Sequence, residues 1–121
     1  MMKGVVDFQG RALLPIVVRS APDGSETRID VWVDTGFTGD LVLPRDQIHR
    51  LGLCESAVIQ TTLADGREAE IESFIAWLDW FGELQEVEVC ASSGQNILLG
   101  VRLMLGRRLV VDYDSMNLTL E

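Results

Sequence analysis

The stretch Val31-Trp32-Val33-Asp34-Thr35-Gly36-Phe37-Thr38-Gly39 decides how this chain is read. It begins as a strand. Ile29, Val31 and Val33 recur at period two on one face, while Arg28, Asp30, Trp32 and Asp34 take the other. The strand ends in an acid, so a rigid element delivers the Asp34 carboxylate into a loop. Thr35 and Gly36 let the chain turn tightly there and place a hydroxyl and backbone N–H groups beside it. A buried carboxylate needs such donors to stay ionised near neutrality. Taken alone, Asp-Thr-Gly also fits an ordinary strand-ending turn, because Asp and Gly are common turn residues. The flanking sequence must choose between the two.

On either side the chain reads as short strands separated by turn signals. Upstream, residues 5–8 and 13–18 are short and β-branched, and residues 21–25 are a turn in which Pro22 presets φ and Gly24 supplies a positive one. Downstream, Leu41-Val42-Leu43 is a strand, Pro44 opens a helix running to about Leu51, and Gly52 stops it. Residues 56–63 and 68–78 are strand-like, and Asp65-Gly66 between them is the strongest hairpin signal in the sequence. A turn near Phe81-Gly82-Glu83 leads into residues 84–90, where acids alternate with apolar residues and predict one solvated face. Residues 91–95 are a loop, residues 96–100 follow, and a helix of one to two turns spans 101–105 before Gly106. Residues 109–113 and 118–120 close the chain as strands, with 112–117 as a surface turn. With no linker or low-complexity tract, the expectation is one all-β domain over residues 1–121, a barrel or sandwich with two short helices.

Composition narrows the function classes. The 121 residues are room for one domain and hardly two, and 47% of them are hydrophobic, enough for a core. Ten basic residues against 19 acidic ones leave a net charge of −9, which repels phosphate backbones and anionic lipid surfaces. Neither nucleic acid nor a membrane is therefore an expected partner. No apolar run is long enough to span a bilayer. The first residues, Met1-Met2-Lys3-Gly4-Val5-Val6-Asp7, lack the apolar stretch of a signal peptide, so the expected location is the cytoplasm. Cys54 and Cys90 make no disulfide framework and are expected as buried free thiols; with one histidine, His49, on a short surface helix, no zinc site is expected.

Asp-Thr-Gly after an apolar strand, then Leu-Val-Leu-Pro, an Asp-Gly hairpin some 30 residues on, and Ile97-Leu98-Leu99-Gly100 before a short helix together resemble the retropepsin-like aspartic proteases. The likeness is strongest to their stand-alone bacterial and archaeal members and runs over essentially the whole chain. It implies a small closed acid-protease barrel with a glycine-tipped flap hairpin. It also implies that Asp34 is the catalytic carboxylate, that Thr35 locks two catalytic loops together through its hydroxyl, and that Gly36 permits the turn and offers a backbone contact to substrate. Ala64, Asp65, Gly66 and Arg67 would sit at or near the flap tip. Leu98, Leu99 and Gly100 would support the catalytic loop. Phe37 stands where viral members carry a small residue and is either core or pocket wall. Thr38 stands where they often carry an Asp, so their subunit ion-pair network is not expected. Trp32, Phe74, Trp77, Trp80 and Phe81 are candidates for core or for subsites.

Hydrolysis by carboxylates alone needs two of them, one ionised to take a proton from water and one protonated to give a proton to the carbonyl oxygen. Two carboxylates about 3 Å apart cannot both ionise and share a proton, as is known for aspartic proteases. The chain has a single Asp-Thr-Gly. Asp112 follows an apolar strand in the same way, but Tyr113 and Asp114 come after it without a Thr-Gly turn. The protease reading therefore requires a homodimer with a two-fold axis, a polypeptide substrate, and neither metal nor organic cofactor. The terminal strands, free as edges in a monomer, are expected to interleave between subunits. A pair of chains carries −18, so mild acid should favour both association and activity. The competing expectations are a non-catalytic domain of the same fold, serving dimerisation or peptide binding, and an unrelated small β domain.

Overall fold

The computed structural model describes residues 1–121. Ten strands form one sheet, in the order β5-β6-β7-β4-β8-β3-β2-β1-β10-β9. They are β1 (Met2–Val6), β2 (Ala12–Arg19), β3 (Thr27–Val33), β4 (Leu41–Pro44), β5 (Cys54–Thr62), β6 (Glu68–Trp80), β7 (Glu83–Ser92), β8 (Leu98–Leu99), β9 (Leu109–Asp112) and β10 (Asn117–Leu120). The sheet curls on itself. β6 outruns β5, and its exposed edge beyond Ile75 meets β2 at Val18↔Leu78 and Arg19↔Trp77. Those two residue pairs complete a partial ring of β6, β7, β4, β8, β3 and β2, so the expected barrel is present only as a loosely closed one.

Alternation places the core inside the ring. Ala12, Leu14, Ile16 and Val18 of β2 and Ile29, Val31 and Val33 of β3 are buried, and they join one cluster of 22 apolar residues. α1 (Arg45–Leu51) packs Ile48 into it and ends at Gly52 with φ 69°, a left-handed cap that glycine adopts without strain. The second helix is shorter than expected. Val101–Leu103 is a single 3-10 turn, closed by the Met104 N–H on Val101 O; the Arg107 N–H then reaches Met104 O across Gly106, whose φ of 76° ends the helical path. β6 and β7 join through Phe81 (φ 52°) and Gly82 (φ 80°), a two-residue turn of the kind that suits the twist of a hairpin. The Arg107 guanidinium stacks 3.4 Å over the Phe81 ring and holds this strained aromatic in place.

Two expectations are corrected here. The terminal strands are not free edges, since β1 pairs antiparallel with β10 from Met2↔Leu120 to Val5↔Asn117 and also pairs with β2. This pairing within one chain buries Val6, Leu118 and Leu120 without the cost of association, and it leaves β9 as the free edge at this end. Cys54 is exposed rather than buried, because it starts the edge strand β5, whose residues lie largely outside the core; Cys90 is half-buried, and both thiols are free. Burial raises the Cys90 pKa, and Glu88 and Asp40 add to the effect. The 112–117 turn is as expected, with the Asp112 carboxylate accepting the Asp114 and Ser115 N–H groups.

Candidate active site

β3 brings Asp34 to the end of a strand whose Ile29, Val31 and Val33 face the core, and a two-residue strand fixes its height. β8 is threaded between β3 and β4, parallel to the first (Trp32↔Leu98, Val33↔Leu99) and antiparallel to the second (Leu41↔Leu99, Val42↔Leu98). On the entrance side of the loop, Trp32 N–H donates to Ile97 O at 2.8 Å and Asp34 N–H to Leu99 O at 2.9 Å. On the exit side, Gly100 N–H donates to Asp40 O and Val101 N–H to Phe37 O, each at 2.8 Å. One segment, residues 97–102, thus grips both ends of the Asp-Thr-Gly loop.

Within the loop, Asp34 Oδ1 accepts the Gly36 N–H at 2.8 Å, and Phe37 N–H donates to Asp34 O at 3.2 Å. This is the tight turn that Asp followed by Thr-Gly predicts. Asp34 is half-buried, whereas Thr35 and Gly36 are exposed. The Phe37 ring lies against Gly39 and Gly100, filling the space where either residue's Cβ would go. A Cβ on Gly100 would also fall on the Gly39 carbonyl oxygen, far inside contact distance. Gly100 is therefore where two main chains touch, which only glycine allows.

The structure brings Asp34, Gly36, Phe37, Leu98, Leu99 and Gly100 together. It does not join Ala64, Asp65, Gly66 and Arg67 to them. These four are exposed at the tip of the β5–β6 hairpin, and their hydrogen bonds stay within it. Leu63 N–H donates to Arg67 O, Gly66 N–H donates to Leu63 O, and Gly66 has φ 85°, so the connection is a three-residue loop closed by glycine. Asp65 caps the Arg67 N–H and pairs with its guanidinium at 2.6 Å.

Two features go beyond the sequence reading, which names Trp32 only as a candidate for core or subsite. A cavity of about 270 Å³ lies beside Trp32, lined also by Arg11, Leu13, Asp30, Gln95, Asn96 and Ile97. Trp32 belongs to the same strand face as Asp34, so the alternation of β3 was the available signal. Arg11 sits 5.9 Å from the Trp32 ring centroid and is clamped by Asp7, whose carboxylate takes its N–H and, at 2.8 Å, its guanidinium. The Arg11 N–H, more than its charge, holds the Asp7 carboxyl below its ordinary pKa. The second feature is Asp40, a buried acid immediately ahead of an apolar strand.

Solved structures share this architecture. EIAV protease in complex with the inhibitor HBY-793 superposes with a TM-score of 0.59 at 19% identity, covering 86% of this chain and 96% of that one. A retropepsin-like aspartic protease from Rickettsia conorii gives 0.66 at 16% identity over 98% of this chain and 88% of its own. The retroviral protease-like domain of Ddi1 from Leishmania major gives 0.53 at 15% identity, over 90% and 88%. No family model and no curated protein sequence matches the chain. The likeness is one of fold, and the fold is that of the retropepsin-like aspartic proteases.

Proposed function

We propose that this chain is one subunit of a homodimeric aspartic endopeptidase. Residues 1–121 act as a single retropepsin-like domain, and two Asp34 carboxylates meet across a two-fold axis. The observation that carries this reading is the setting of Asp34. It stands at the end of a strand with one face in the core, in a loop gripped at both ends by residues 97–102, with Thr35 and Gly36 exposed beside it. One Asp34, ionised, takes a proton from water as the water attacks the scissile carbonyl; its protonated counterpart gives a proton to the carbonyl oxygen. The tetrahedral intermediate then collapses, the amine leaves with a proton from the dyad, and the shared proton is restored. Carboxylates alone supply acid and base, so the reaction calls for no metal or organic cofactor.

The exposed Thr35 hydroxyl is available to the partner's loop. The β5–β6 hairpin, with Ala64, Asp65, Gly66 and Arg67 at its tip, serves as the flap, and an extended polypeptide adds to the sheet beneath it. The cavity beside Trp32 and Arg11 takes a substrate side chain. The free edge of β9, together with exposed Val5, Phe8, Val110, Tyr113 and Met116, offers the subunit contact. No helix is long and apolar enough to cross a membrane.

The test is cleavage of a diverse peptide pool from pH 4 to 7, with Asp34→Asn alongside. Wild type should cut best in mild acid, where −18 per dimer is partly neutralised, and Asp34→Asn should lose activity by ~10³-fold or more. Equal cutting by both proteins would remove the dyad assignment. A folded dimer that cuts nothing would leave a peptide-binding or dimerisation domain of this fold.

A further inference from the structure

One buried charge has no part in the proposed chemistry. Of the buried residues only Asp40 and Ser73 are polar, and only Asp40 is ionisable. Asp40 lies six residues beyond Asp34, at the exit of the Asp-Thr-Gly loop. β4 and β7 run parallel and pair from Leu41↔Val89 onward. One step earlier the β4 main chain has already turned into the loop, and there Asp40 Oδ2 accepts the Glu88 N–H at 3.0 Å. The side chain thus extends the ladder past the point where the backbone leaves it. Its other oxygen, Oδ1, faces Arg102 Nε at 3.7 Å. Arg102 belongs to the gripping segment, and its N–H donates to Gly39 O at 3.3 Å. Asp40 O receives the Gly100 N–H from the same segment at 2.8 Å. The carboxylate borders a cavity of about 270 Å³ that Gln85, Glu86, Arg102 and Arg107 also line.

We propose that Asp40 is a positioning residue for Asp34. Its carboxylate, held by the Glu88 N–H and paired with Arg102, ties three things at one point: β7, the exit of the Asp-Thr-Gly loop, and the segment that also fixes the loop's entrance through Leu99 O. Asp40 touches neither Asp34 nor the space in front of it; it acts through the loop. Catalytic geometry is sensitive to small displacements, since a misplacement of about 1 Å costs on the order of 10²-fold in rate. The inference rests on the protease reading for its kinetic half and on geometry alone for its structural half.

Two conservative variants separate the parts. Asp40→Asn keeps an acceptor for the Glu88 N–H but removes the charge that faces Arg102. Arg102→Gln removes the cation from a side chain that is 59% exposed, so the fold survives it. In the dimer, each should lower kcat per folded molecule about tenfold with KM changed less than twofold. The double variant should be no slower than either single one, because both remove the same interaction. Unchanged kcat with a lowered Tm would make Asp40 a stabiliser and overturn the proposal. Amide hydrogen exchange supplies a readout that needs no activity. In Asp40→Asn the Gly36 and Gly100 amides should exchange faster, while those of α1 and β2 stay as in wild type. If wild type cleaves no peptide, exchange decides alone. Faster exchange at those two glycines upholds the positioning role and leaves the failure with the protease reading, and unchanged exchange overturns the role itself.

Discussion

The Asp-Thr-Gly loop and the β5–β6 hairpin are held in opposite ways. The loop depends on residues far away in sequence: Leu99 and Gly100 reach it through main-chain bonds, and Phe37 closes over two glycines that leave it room. The hairpin depends on itself. Nearly all of β5 is exposed, burial in β6 begins only at Ser73 and Phe74, and Asp65 caps its own turn. With little core beneath it, the outer half of the hairpin is fastened mainly by its ladder and turn. Segments of that kind open locally at far lower free energy than the whole fold. A catalytic loop must hold its place and a lid must open, so this division of stiffness agrees with the roles proposed for the two regions.

The sharpest way to break the comparison is at Gly100. A methyl there collides with the Gly39 carbonyl and the Phe37 ring, and the carbonyl cannot yield without moving the loop. Gly100→Ala should cost about 3 kcal/mol. Chemical denaturation should show it as a lower midpoint with little change in slope. A variant as stable as wild type would mean that the loop is not tightly enclosed at Gly100.

At the hairpin the same substitution should do much less. Gly66 has φ 85° and nothing within reach of an added Cβ, so Gly66→Ala carries only backbone strain, about 1 kcal/mol. Because that strain lies in a segment that already opens locally, its clearest signature is hydrogen exchange. Amides of residues 58–72 should exchange faster than in wild type, while the Asp34 and Gly100 amides keep their protection. Global destabilisation as large as that of Gly100→Ala would show the hairpin to be coupled to the core, and the contrast would fail.

The contrast also marks how far the sequence could be read. Local devices were legible because each is written in adjacent residues. They include the alternation of β3, the Asp-Thr-Gly turn, Pro44 and Gly52 bounding α1, the Asp-Gly tip, and the Asp112 turn. The placement of β8 was not, because two residues carry no periodicity and their parallel pairing with β3 is set by the tertiary structure. The family resemblance alone assigned Leu98-Leu99-Gly100 a supporting role. Asp40 was missed because an acid beside an apolar strand ordinarily faces solvent, and its partner Glu88 lies 48 residues away. The termini were misjudged because two short apolar strands pair equally well with a second chain or with each other. Cys54 was misjudged because free cysteine usually prefers the interior, whereas here it begins an edge strand.

The smallest expected effect lies in the turns that hold themselves. The Asp112 carboxylate accepts the Ser115 and Asp114 N–H groups, and these bonds, the Ser115 one foremost, lower its pKa. A carboxyl whose folded pKa is lowered binds its proton less readily folded than unfolded. It therefore contributes stability that is present above the unfolded value, about 4, and lost as pH falls through the folded one. Asp112→Asn should lower Tm slightly at pH 7, and the difference should narrow as pH falls below about 4. Gly100→Ala acts by a steric clash and removes no titrating group, so its deficit relative to wild type should persist through the same range. Thermal melts of the two variants and wild type at pH 7 and pH 3 test both statements together. A pH-independent deficit in Asp112→Asn would mean that shape rather than charge holds this turn, and the division between packed loop and self-capped turns would then lose one of its supports.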